Sequence, residues 1–223
     1  MFVRVHSDWL LAPYRLAVHE PTATAVIADV HLGYCEARQQ SGDAIPLRTI
    51  ASQLAPLRRA KSRFRFDKLL VAGDLFERAV RSDLLDDFLA ELAVLGIAFA
   101  GLVPGNHDRG WETFQERIPV FADGVQVGPW RVVHGDNVCN TDALVLGHWH
   151  PVVTHQNRRR PCYLVGPHRL VLPAFSADAA GVSVPRHPAL RVLRRLAIIG
   201  NAVVEVQSSD FPRVPRSSVA AQR

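Results

Sequence analysis

"LVPGNHDRGW", residues 102–111, closes an apolar run with Pro104 and Gly105 and then sets Asn106, His107 and Asp108 side by side. A surface loop tolerates such a trio anywhere. After a buried strand it carries more meaning, because open α/β sheets gather their ligands just beyond the carboxyl ends of their strands.

The same event recurs along the chain. "TATAVIAD" (22–29), "DKLLVAGD" (67–74), "LGIAFAGLVPGN" (95–106) and "ALVLGH" (143–148) each read as a buried strand. Periodicity alone does not separate a short apolar run from a helix. The polar residue that ends each run, directly or after a glycine, decides for strand. Those polar ends supply Asp29 and His31 ("IADVHLG"), Asp74 ("VAGDLFE"), then Asn106, His107 and Asp108. His134 ("RVVHGD") and the pair His148 and His150 ("LGHWHP") complete the series.

Helical patterns lie between the early runs. Leu47, Ile50, Leu54 and Leu57 fall at helical spacing, with Pro46 placed for an early helical position and Pro56 for a kink or stop. Leu84, Leu85, Phe88, Leu89, Leu92 and Leu95 form a second stripe, with Ser82 as N-cap and Gly96 as terminator. "RGWETFQERI" (109–118) reads as a shorter helix. From Phe121 onward the chain turns to short strand-like pieces punctuated by Gly and Pro, among them "WRVVHG", "PVVTH", "CYLVG", "RLVLP" and "AVVEV". A βαβ first half and a mostly β second half predict two mixed sheets packed as an α/β sandwich with helices outside. One domain over residues 1–207 is expected, followed by a polar, flexible tail at 208–223.

With 48% apolar residues in 223, the chain can bury one large core. No run of eighteen apolar residues occurs, and Asp8, Pro13 and Arg15 interrupt the start, so neither a transmembrane helix nor a signal peptide is expected. Cys35, Cys139 and Cys162 are scattered without a CxxC pair, which predicts a reduced cytoplasmic setting and argues against a thiolate zinc site. Net charge is +5 but uneven: from Arg158 onward there are 11 Arg against three acids. That basic third, including Arg158, Arg159 and Arg160, suits either a polyanion partner or a solvated hairpin tip.

The chemistry lies in the donor set. Carboxylate, amide oxygen and imidazole without sulfur suit Mn²⁺, Fe²⁺, Zn²⁺ or Ni²⁺. There are too many donors for one ion and about enough for two. Two cations about 3.5–4 Å apart clamp the attacking and leaving oxygens of an in-line displacement at phosphorus, and lower the pKa of bound water to near neutrality.

The ordered blocks "DVH", "GDLFE", "GNHD", "VHG" and "GHWH", spread over residues 29–150, resemble the calcineurin-like metallophosphoesterase superfamily. The resemblance implies a four-layer α/β/β/α sandwich and a role for each residue. Asp29, His31 and His150 would hold one metal, Asp74 would bridge, and Asn106, His134 and His148 would hold the second. His107 would protonate the leaving oxygen or stabilise charge on the phosphoryl group, with Asp108 orienting its ring. Glu77 occupies the acidic slot of its block, where a helix-start or buried ion-pair role is expected in place of metal ligation. The fourth block, "VVHGDN", lacks the glycine before and the histidine after that the superfamily often shows, so His134 rests on order and on its preceding strand.

The closing segment "RPCYLVGPHRLVLPAFSADAAGVSV" is similar to that of bacterial ligase-associated (PdeM-type) metallophosphoesterases. This implies a manganese-favouring phosphodiesterase acting on nucleic-acid ends or small nucleotide diesters, with a DNA-repair association through a helicase and a ligase. Two alternatives stand beside it: a phosphomonoesterase, against which "GDLFERA" and "GNHD" argue, and a non-catalytic metal-binding scaffold of the same fold.

Overall fold

β4 (Thr24–Ile27), β5 (Lys68–Ala72) and β6 (Ala98–Val103) run parallel at the heart of a six-stranded sheet whose order is chain order. An antiparallel meander, β1 (Val3–Val5), β2 (Trp9–Ala12) and β3 (Leu16–His19), leads into it. The computed structural model describes residues 1–136, 143–184 and 190–207. The expected tail at 208–223 and Cys139 lie outside them.

Parallel strands need crossovers, and these carry the helices. α1 (Tyr34–Gln40), α2 (Ile50–Gln53) and α3 (Ala55–Lys61) link β4 to β5, and α4 (Ser82–Val94) links β5 to β6. The second sheet holds β7 (Val125–Val127), β8 (Trp130–Val133), β9 (Leu144–Leu146), β10 (Pro151–His155), β11 (Arg158–Gly166), β12 (Arg169–Val171), β13 (Val182–Ser183), β14 (Arg194–Ile199) and β15 (Ala202–Val206). Its order is β13-β10-β11-β12-β9-β8-β7, with β14 joining β11 to β15. Here too a parallel trio, β8–β9–β12, forms the centre.

The period-2 alternation of strands builds three apolar layers. On β5, Leu69 and Val71 face α2–α4 with Leu57, Leu85 and Phe88, while Leu70 and Ala72 face the other sheet. On β11, Tyr163 and Val165 enter that inter-sheet core, whereas Cys162 and Leu164 face outward. Val184 and Leu190 pack on this outer face of the second sheet. The Tyr163 hydroxyl shares its one proton between the carbonyls of Ala12 (2.6 Å) and Leu16 (2.8 Å), tying the second sheet to the β2–β3 turn.

All four strands read from apolar runs are present, each shorter than its run. Three expectations about helices change. Pro46 and Leu47 precede the helix, which begins at Ile50 under a Thr49 cap that accepts from the Ser52 amide at 3.2 Å; Leu47 is 58% exposed. Ser82 is the first residue of α4 and not its N-cap, which is Arg81, whereas the break expected at Pro56 is present between α2 and α3, with Pro56 in the first turn of α3 where its missing N–H costs nothing. "RGWETFQERI" makes only a 3₁₀ turn, Trp111–Phe114, while α1 forms where no apolar stripe signalled it.

Candidate metal centre

The residues just beyond β4, β5, β6, β8 and β9 meet at one rim of the sandwich. Asp29, His31, Asp74 and His134 are buried, and His107, His148 and His150 are half-buried. Donor atoms of Asp29, His31 and His150 lie within 4.8 Å of one another, as do those of Asp74, His134 and His148. The two groups abut, with His134 Nδ1 4.0 Å from Asp29 Oδ1. Asn106 joins the second, its Oδ1 3.2 Å from His134 Nε2.

The local backbone explains how so many side chains point inward. Asp29, His31, Asp74, His148 and His150 all have positive φ, between 43° and 67°. Such conformations cost on the order of 1–3 kcal/mol each for non-glycine residues and persist only where the surroundings fix them. Here the main chain is stitched across: the amides of Asp29 and His31 donate to the carbonyls of Gly73 (2.9 Å) and Asp74 (3.0 Å), and Ser176 donates to Asp29 (3.1 Å). "VLPAF", which no metal chemistry demanded, thus leads into the segment that pins the first loop. The glycines of "GD", "GN" and "GH" make room. A Cβ on Gly73 would lie 1.9 Å from His134 Nδ1, one on Gly105 2.2 Å from Asp74 Oδ1, and one on Gly147 2.8 Å from Asp29 Oδ2.

The hydrogen bonds leave lone pairs converging on two points. His134 Nδ1 faces the Ala72 carbonyl at 3.2 Å, an acceptor only, so that nitrogen carries the ring proton. Its Nε2 then confronts Asn106 Oδ1 (3.2 Å), His148 Nδ1 (3.1 Å) and Asp74 Oδ2 (3.4 Å). In the first group, His150 Nδ1 faces the Ala180 carbonyl at 3.2 Å, and its Nε2 lies 3.2 Å from Asp29 Oδ1. His31 Nε2 is buried without a hydrogen-bond partner. Electron-rich atoms packed this closely require a proton or a cation between them, and oxygen and imidazole donors match a divalent ion of intermediate hardness. Without a metal the proton takes the place. Burial disfavours charge on His134, but the hydrogen bond and charge of Asp74, with the charge of Asp29, outweigh it and raise the pKa to about 9. Burial likewise works against the Asp74 carboxylate, but His134 and the His107 amide bring it down to about 2.

One assignment changes, while Glu77 takes the ion-pairing position expected of it. Asp108 does not hold the His107 ring: its carboxylate oxygens accept the amides of Phe76 and Gly105, each at 2.9 Å, and so shape the turn. Burial pushes its pKa up to about 6 against those amides. The main-chain oxygen of Glu77 takes the orienting position, accepting from His107 Nδ1. The Glu77 carboxylate in turn lies 2.9 Å from His31 Nδ1, off the line of a hydrogen bond, and groups with His31 and His107. Its slot in the "GDLFE" block was the available signal.

A family model described as calcineurin-like phosphoesterase matches residues 23–178. The crystal structure of Pseudomonas putida nuclease MPE is similar in fold, with a TM-score of 0.70 at 21% identity over 92% of this chain and 99% of that one. A Vps29 single mutant from Entamoeba histolytica matches with a TM-score of 0.38 at 13% identity, over 82% of this chain and 99% of that one. No curated protein matches. The family match spans well over half of the chain and includes every ligand candidate from Asp29 to His150; the chain belongs to the calcineurin-like phosphoesterase family, whose members are two-metal phosphoric ester hydrolases.

Proposed function

We propose that this protein is a two-metal phosphodiesterase, and that the convergence of lone pairs on His134 Nε2 and around Asp29 is the observation that carries the reading. Asp29, His31 and His150 would hold one divalent cation, Asn106, His134 and His148 the other, with Asp74 between them. When bound, the pair supplies Lewis acidity toward phosphoryl oxygens and a nucleophilic water at neutral pH. Manganese is the ion we favour, and the three oxygen and four imidazole donors also suit Fe²⁺, Zn²⁺ and Ni²⁺.

The chain's own residues do the remainder. The carbonyls of Ala72 and Ala180 fix which nitrogen of His134 and His150 faces inward. The Glu77 carbonyl holds the proton on His107 Nδ1, so the Nε2–H of the His107 imidazolium is the group that delivers a proton to the departing alcohol oxygen. Asp108 braces the "GNHD" turn that presents that ring.

Diesters, nucleic-acid ends among them, are the proposed substrates. The closing segment's similarity to PdeM-type enzymes and the identity of the Pseudomonas neighbour as a nuclease support this class. The same similarity supports a cytoplasmic DNA-repair setting beside a helicase and a ligase. The test is hydrolysis of matched aryl phosphate diesters and monoesters by the purified chain with added Mn²⁺, Fe²⁺, Zn²⁺ or Ni²⁺. A preference for the diester is expected. Monoester preference, or inertness with every ion, overturns the reading.

A further inference from the structure

Two hollows flank the ligand cluster. One, of about 530 Å³, opens beside His134; the other, of about 180 Å³, opens beside His150. The second carries charge that the metal ligands do not use. Arg15 and Arg159 both line it, together with the small residues Ala174, Ala177 and Gly181.

Both guanidiniums are held in place by main-chain oxygens. Arg15 leaves the β2–β3 turn at φ 61° and donates to the carbonyls of Ala174 (3.3 Å), Phe175 (3.5 Å) and Ser176. Arg159 donates to the Gly181 carbonyl at 2.6 Å. Carbonyl partners orient a guanidinium without cancelling its charge. Among the described residues neither arginine forms an ion pair with a carboxylate; Asp178, which shares the neighbouring hollow with Arg15 and acts on it at longer range, pairs with Arg48 at 3.0 Å. Each fork has five N–H donors and keeps some beyond those bonds. The hairpin that carries Arg159 turns through Gln156 and Asn157, both at positive φ as a two-residue turn requires, so the arginine springs from a rigid strand end.

We propose that this hollow is a subsite for a second phosphate group of the substrate, next to the scissile one and separated from it by His150. Paired guanidinium forks match phosphate oxygens in charge and geometry. The wall is kept small at Gly181, where a Cβ would lie 2.2 Å from Val152 Cγ1. The inference rests on the diesterase reading and narrows it. The substrate is then a diester bearing a further phosphate, a nucleic-acid strand or a terminally phosphorylated dinucleotide, in place of a diester with one phosphorus.

The test uses the metal-loaded full chain and four substrates: bis-p-nitrophenyl phosphate, a thymidine dinucleotide without terminal phosphate, and the same dinucleotide phosphorylated at the 5′ or the 3′ end. One phosphorylated form is expected to exceed the unphosphorylated one by about tenfold in kcat/KM, the worth of a charge-assisted contact. Arg159→Gln should shrink that ratio several-fold, mainly through KM, and Arg15→Lys should shrink it in part. Reading a ratio cancels any general loss of activity in a variant. Equal kcat/KM for all three dinucleotides with the unaltered protein, or a ratio untouched by Arg159→Gln, overturns the subsite. Failure of the unaltered protein to cleave even the bis-aryl diester overturns the diesterase reading instead.

Discussion

Oε2 of Glu77 lies 2.9 Å from Nδ1 of His31, while the same residue's main-chain oxygen meets Nδ1 of His107. One residue thus holds a metal-ligand candidate with its side chain and the proposed proton donor with its backbone. Carboxylates behind ligating histidines commonly contribute about 10–100-fold to metal affinity. Glu77→Ala, which removes only the carboxylate contact, is expected to weaken metal binding by that order while leaving the His107 contact intact. Calorimetric titration with Mn²⁺ measures it, and an unchanged affinity would show that the pair is incidental.

His107 offers the complementary case. His107→Asn removes the proposed proton donor and none of the proposed ligands, so metal content should stay near two per chain while kcat falls about 10²–10⁴-fold. Metal analysis and steady-state rates on the same preparation decide the matter, and full activity in the variant would refute the role.

Asp74→Asn should weaken binding of both cations, because the bridging position proposed for it would offset their mutual repulsion. Occupancy of both sites measured by equilibrium dialysis, if it matches the unaltered protein, would count against a bridge.

The metal-free protein should show a stability window set by the same pair. His134 titrates at about 9, above its ordinary 6.5, so its contribution is complete below 6.5 and is lost as pH rises through 9. Asp74 titrates at about 2, below its ordinary 3.8, so its contribution is complete above 3.8 and is lost as pH falls through 2. The melting temperature in chelator should therefore be highest between about pH 4 and 6.5 and decline toward pH 9. Asp74→Asn should flatten that alkaline decline in a thermal-shift series. Metal uptake must displace the His134 proton, so affinity should rise over the same alkaline range.

Gly73→Ala tests the space the motif glycine leaves. Its Cβ would overlap the His134 ring at 1.9 Å, and φ is +83°. The backbone conformation alone costs about 1–3 kcal/mol for a residue with a side chain. The variant should melt lower and lose the metal held by His134, and a wild-type melt with full occupancy would contradict the packing described.

Much of this molecule was legible before any coordinates. Apolar runs that end in polar residues announce strands because a buried strand must be apolar along its length and polar where it reaches the rim. That rule located β4, β5, β6 and β9, and with them Asp29, Asp74, Asn106 and His148. Helix boundaries were less visible: Pro46 and Leu47 obey helical spacing, yet capping at Thr49 starts the helix later. The 109–118 pattern closes to a single 3₁₀ turn.

Residue type, order and spacing therefore determined which strands form and which side chains stand at their ends, since both follow from local periodicity and burial. The partners of those side chains belong to tertiary structure alone. Asp108 serves backbone amides, Glu77 supports two histidines, and Arg15 and Arg159, far apart in sequence, line one hollow. Hydrogen bonds act over about 3 Å, and contacts between residues so far apart in sequence exist only once the two sheets have packed and the loops at their common rim have closed.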